Sequence, residues 1–138
     1  MDRILVDTNI ILDLLGKREP YWPEAQALFD LAEKKKVELF VPALSIPNVH
    51  YILSRQLKSG KVLKILRRFK LLVKVLALDD KIISLALDSD FKDFEDAIQY
   101  FSALENNIRV IVTRNVRDFR SSQIPVLTAR DYLAMHER

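Results

Sequence analysis

The 138-residue chain contains no cysteine, which excludes disulfides, thiolate nucleophiles and every cysteine-based zinc site. Histidine is almost as scarce, with only His50 and His136, and neither sits in an HExxH setting. Average usage would give about ten glycines, yet Gly16 and Gly60 are the only two. Two such isolated glycines cannot write a GxGxxG or GxxxxGK[ST] loop, so phosphate binding by a Gly-rich cradle is excluded. Long apolar runs are missing as well. No uninterrupted stretch approaches the roughly 20 residues of a membrane span. The apolar opening MDRILVDTNIILDLL is broken by Asp7 and Asp13 and lacks the small-residue cleavage site of a secretory signal. A soluble, cytoplasmic protein is expected. Carboxylates, hydroxyls, amides and cations are left to carry any chemistry.

The charge balance is 22 Lys and Arg against 19 Asp and Glu, a net of +3. Its distribution is uneven. The stretch Lys58 to Lys74, KSGKVLKILRRFKLLVK, has many cations and no acid, whereas acids crowd LDSDFKDFED up to Asp96. Val62, Leu63, Ile65, Leu66 and Phe69 follow helical spacing, so the basic run reads as the wet face of an amphipathic helix before it reads as a phosphate-binding surface.

Short aliphatic runs alternate with longer helical patterns. Ile4–Val6, Leu39–Val41, Val73–Leu76, Arg109–Val112 and Pro125–Leu127 read as strands. Helices are expected over 10–15, ended by Gly16, and over 23–34, 46–57 (capped by Ser45), 61–71, 81–87 (capped by Asp79) and 93–105, with a final one capped by Thr128. No hairpin turns and no internal repeats are apparent. The pattern predicts a single domain over residues 1–138, a three-layer α/β/α fold whose central sheet is mainly parallel and flanked by helices.

Open parallel sheets place their sites at the carboxyl ends of the strands. Two strands end in matching punctuation: Ile4-Leu5-Val6 runs into Asp7-Thr8-Asn9, and Val110-Ile111-Val112 runs into Thr113-Arg114-Asn115, with Asp118 close behind. If these strands are neighbours, Asp7, Asn115 and Asp118 open onto one edge. The helix from Asp93 adds Asp93 and Asp96 on one face with Ala97 and Tyr100. Each acid has a modest structural explanation, since Asp7 and Thr8 are good helix N-caps and Asp93 and Asp96 suit the positive end of a helix dipole. Convergence of several carboxylates from separate segments calls for a positive partner. Oxygen ligands without His or Cys suit Mg²⁺ or Mn²⁺ rather than zinc.

The motifs ILVDTNIILDLL, DFEDAIQYFSAL and VIVTRNVRDF, in this order, resemble the PIN-domain nucleases, particularly toxins of the VapC type. The resemblance spans essentially the whole chain. It implies a Mg²⁺- or Mn²⁺-dependent endoribonuclease, a homodimer, neutralised by a small antitoxin. By resemblance, Asp7, Asp96 and Asp118 are the metal-binding acids, Asn115 supports Asp118, Thr8 and Thr113 orient ligands or water, and Asp93 is an outer member. Arg114, Arg117 and Arg120 are candidates to steer phosphate. One position departs from the pattern: where the family usually carries an acid early in the helix after the second strand, this chain has Asn48. An amide offers a neutral oxygen but no negative charge, and fewer anionic ligands weaken metal binding. A PIN-like module that binds RNA or protein without cutting is therefore the alternative. His50 and the Tyr21-Trp22 pair read as packing residues. A phosphoacceptor domain is disfavoured because its acidic pair belongs after the first strand, whereas Asp79-Asp80 follows a later one.

Overall fold

The computed structural model describes residues 1–136. Strand β1 (Asp2–Val6) leads into helix α1 (Thr8–Leu15), and α2 (Trp22–Glu33) precedes β2 (Val37–Pro42). Then come α3 (Ser45–Leu53), α4 (Ser59–Lys70), β3 (Val73–Leu76), α5 (Asp80–Leu87), α6 (Phe94–Glu105) and β4 (Val110–Val112). A 3₁₀ turn (Val116–Phe119), strand β5 (Val126–Leu127) and helix α7 (Ala129–His136) complete the order.

The strands form one sheet in the order β3-β2-β1-β4-β5, and every pairing is parallel. Side chains alternate across it as the two-residue period requires. Ile4, Val6, Leu39, Val41 and Val112 join the core under α1, α2, α3, α4 and α7. Leu5, Phe40 and Ile111 join the opposite core with Tyr100 and Ala103 of α6. Burial on both faces is why these strands read as unbroken apolar runs rather than as alternating ones. The expected α/β/α layering is present, with a sheet that is wholly parallel.

The chain leaves β1 towards β2 and β3 on one side, while β4 and β5 lie on the other. Strand order therefore reverses between β1 and β4, whose registers match Ile4 with Val110 and Val6 with Val112. A crevice opens at their carboxyl ends, as it does in other open parallel sheets.

Local details explain some helix ends and correct others. Gly16 ends α1 in right-handed backbone, at φ −90°. Its value is space: a Cβ there would meet the Leu12 carbonyl oxygen at 2.8 Å. The left-handed step falls on Lys17 instead, at φ 49°. Asp79 and Thr128 cap as expected, accepting from the Ile82 and Asp131 amides. Ser45 does not cap α3. It is the helix's first residue, and its hydroxyl is taken up by Thr8 at 2.8 Å. In α4, Val62, Leu66 and Phe69 are buried while Lys61, Lys64, Arg67, Arg68 and Lys70 face water, the amphipathic arrangement expected except that Leu63 is exposed. No described helix is long and apolar enough to cross a membrane.

Candidate active site at the strand ends

Asp7 is the residue at which β1 stops. Its amide donates to the Val112 carbonyl at 3.0 Å, so the backbone continues the β1–β4 ladder while the side chain stands at the crevice. It holds the N-cap position of α1, yet its carboxylate caps nothing. Oδ1 accepts from Gln99 Nε2 at 2.8 Å, and Oδ2 accepts from the Thr113 hydroxyl at 2.7 Å. Both donors are buried, as is Asp7 itself. Thr113 in turn accepts from the Asn115 amide at 3.0 Å. The end of β4 is thus tied to the end of β1 through one hydroxyl that donates to the acid and accepts from the following loop.

Helix α6 points its N-terminus at the same place. Asp93 is the N-cap and accepts from the Asp96 amide at 3.0 Å, a good use of a free helix-end donor. Asp96 and Glu95 follow in the first turn. Burial raises the pKa of Asp96 to about 7, and the charges of Asp93, Asp7, Asp118 and Glu95 push in the same direction. Glu95 is raised too, by burial and then by Asp93 and Asp7, with a hydrogen bond from Asn48 opposing. Asp118 comes from the 3₁₀ turn after β4, which is anchored by the buried Phe119 and by the Asp118 amide bonding Asn115 O at 3.0 Å. Among the described residues no ion pair reaches Asp7, Asp96 or Asp118. An acid-lined cleft of about 410 Å³ results, with Asp7, Thr8, Asn48, Asp93, Glu95, Asp96, Gln99, Asn115 and Asp118 in its wall.

This arrangement, at a strand-order reversal and fed by three separated segments, agrees with the sequence motifs at the family level. The family model of the PIN domain matches residues 3–117. The chain belongs to the PIN domain family. This PIN domain is similar to Ribonuclease VapC1 of Aquifex aeolicus (strain VF5), at 24% identity over 136 residues covering 95% of this chain and 93% of the relative. In fold it is similar to a DNA-bound VapBC from Salmonella typhimurium, with a TM-score of 0.70, 18% identity and coverage of 94% of this chain and 99% of that one. It is similar also to a toxin–antitoxin complex from Klebsiella pneumoniae, with a TM-score of 0.68, 22% identity and coverage of 91% and 97%.

Of the residues singled out in the sequence, Asp7, Thr8, Asn48, Asp93, Asp96, Asn115 and Asp118 all line the cleft of this PIN domain. Thr113 lies directly behind Asp7 and does not reach the cleft wall. Arg114 faces elsewhere. Its Nε stands 2.9 Å from Asp13 Oδ2 on α1, off-line for a hydrogen bond, so the contact is ionic. Its guanidinium carbon lies 4.1 Å from the centre of the Tyr21 ring. Burial raises the Asp13 pKa, and Arg114 opposes the shift. Arg114 and Tyr21 line a neighbouring pocket of about 420 Å³ that shares Asn115 with the acidic cleft. Arg117 and Arg120 flank Asp118 in a cavity of about 320 Å³ on its other side. His50 sits in the last turn of α3, with its Nε2 3.4 Å from the Oγ of Ser59 at the start of α4.

Sequence reasoning gave no site role to Glu95, Gln99 or Asp13 and read Ser45 as a helix cap. The helical period held a signal for two of them. Gln99 follows Asp96 by three residues and Glu95 by four, so its side chain stands beside both acids on the helix surface.

The donor set fits a hard divalent cation in chemistry: it is all oxygen, strongly anionic and without a facing base. Among the described residues, no three acidic or imidazole side chains stand close enough to grip one ion as placed.

Proposed function

We propose that this PIN domain is a divalent-metal-dependent endoribonuclease, the toxin of a toxin–antitoxin pair. The observation that carries this reading is the uncompensated charge of the cleft, where Asp96 is pushed to about 7 beside Asp93, Asp7, Asp118 and Glu95. Similarity to a relative named as a ribonuclease, and to chains solved as toxin–antitoxin complexes, supports the reaction class and the partner.

In this reading Asp7, Asp96 and Asp118 hold Mg²⁺ or Mn²⁺. When bound, such an ion activates water and neutralises charge on the phosphodiester under attack. The rest falls to the protein's own groups. Thr113 and Gln99 hold both oxygens of Asp7 in one orientation. Thr8, Asn115 and Asn48 offer hydroxyl and amide groups that orient the attacking water or a ribose hydroxyl. Asp93 fixes the first turn of α6, and with it the backbone of Asp96. Arg117 and Arg120 draw the RNA backbone towards Asp118, and Arg114 does so from the neighbouring pocket. The working form is a cytoplasmic homodimer held silent by its antitoxin.

The test is cleavage of a structured RNA by the purified protein with Mn²⁺ or Mg²⁺ and with EDTA. Cleavage in metal, none in EDTA and none by Asp7→Asn or Asp96→Asn is expected. Equal cleavage by both variants would sink the assignment. A second reading, a module that binds RNA or a protein partner without cutting, is favoured by Asn48 and by the spacing of the acids. It predicts RNA binding with no metal-dependent cleavage at any metal concentration.

A further inference from the structure

Position 48 bears an amide where the family pattern carries an acid, which leaves the cleft one charge short if α3 is its source. The structure shows where that amide goes. Asn48 Nδ2 donates to Glu95 Oε1, across 47 residues of sequence, and both side chains belong to the wall that also contains Asp7 and Asp96. A carboxylate at 48 would have no donor and would repel Glu95, whereas an amide has two N–H donors and captures it. Glu95 forms no ion pair among the described residues, so its charge is not spent elsewhere. An independent sign comes from one turn further along the same face. Gln99 is 4% exposed and gives its amide hydrogen to Asp7, yet its Oε1 has no hydrogen-bond partner. A buried acceptor with no partner, beside the acids, is a group that a cation or a donating ligand can satisfy.

We propose that Glu95, held by the Asn48 amide, supplies to the cation site the negative charge that position 48 lacks. The inference rests on the metal-dependent reading above and adds a ligand to it. The pair Asn48–Glu95 has exchanged roles relative to the family pattern: α6 brings the acid, and α3 orients it. The cation site then draws on four anions, Asp7, Asp96, Asp118 and Glu95, with Asp93 beside them in the cleft wall, and is not impoverished.

The experiment measures Mn²⁺ affinity directly, from the loss of the free-ion electron paramagnetic resonance signal, in the full chain without RNA. Glu95→Gln weakens Mn²⁺ binding by about 10- to 100-fold, the range seen when a group supporting a metal site is removed. Asn48→Asp in the Glu95→Gln background brings the acid back from α3 and restores affinity to within about threefold of the native protein, because charge count governs the site. Circular dichroism confirms that each variant is folded. Native affinity in Glu95→Gln, with binding lost in Asp7→Asn, would overturn the role of Glu95 and leave the metal site intact. Absence of Mn²⁺ binding by the native protein would overturn both.

Discussion

Replacing Thr113 by valine keeps shape and volume while deleting one hydroxyl, and the structure sets what that hydroxyl is worth. It is fully buried, donates to Asp7 Oδ2 at 2.7 Å and accepts from the Asn115 amide at 3.0 Å. A hydrogen bond to a charged group contributes about 1.5–3 kcal/mol, and an amide left without its acceptor adds a cost of similar size where water cannot reach it. Asn115 is exposed, so the second cost is partly relieved. The net loss is about 3 kcal/mol, and at about 3–4 °C per kcal/mol for a domain of this size the melting temperature falls by about 10 °C. Thr113→Ser keeps both bonds and loses one methyl, about 1 kcal/mol. Urea titrations of the two variants give the comparison. Stability of Thr113→Val within 0.5 kcal/mol of the native protein would refute the claim that this hydroxyl joins β1 to β4.

Three further outcomes follow from the same contacts. Gln99→Leu removes the other donor to Asp7 but also the orphan Oε1, so its stability cost is about 1 kcal/mol, below that of Thr113→Val, and urea midpoints rank the two. Arg114→Ala strands the buried Asp13 and costs about 3 kcal/mol, part of which Asp13→Asn recovers in the double variant, as thermal melts of the set would show. The metal-free protein loses stability as pH rises from about 4 to about 7. Asp96 has a folded pKa of about 7 against an ordinary 3.8, so the native state holds more protons than the unfolded chain across that window. Asp96→Asn flattens that slope, and urea midpoints at pH 5 and pH 7.5 with EDTA read the difference; an unchanged slope would contradict the placement of Asp96 among the acids.

The layering was legible because parallel strands buried on both faces spell unmistakable runs such as Ile4–Val6 and Val110–Val112, and because the longer segments between them keep a helical period. The acids were legible as punctuation, since Asp7 and Thr113 stand where a strand must stop. What the sequence left hidden depends on distance. Gln99 meets Asp7 across 92 positions and Ser45 meets Thr8 across 37, and neither contact leaves a local trace. Ser45 looked like a cap because serine suits that position, but a hydroxyl within reach of Thr8 has a nearer partner. Arg114 adjoins Asn115 in sequence, yet its side chain goes to Asp13 and Tyr21 while its neighbour Thr113 binds Asp7, as alternation along an extended segment dictates. Asn48 reads as a lost acid in the sequence, and its hydrogen bond to Glu95 shows only once the two helices are placed.

The proposed divalent-cation site is formed by the acids at the β1–β4 crevice. Calorimetric titration of the metal-free protein with Mn²⁺ at pH 8, where Asp96 is ionised, tests it most directly. Saturable binding is expected, releasing few protons at this pH and disappearing in Asp7→Asn while that variant keeps its native circular dichroism. No heat of binding at millimolar Mn²⁺, or the same binding in Asp7→Asn, would contradict it.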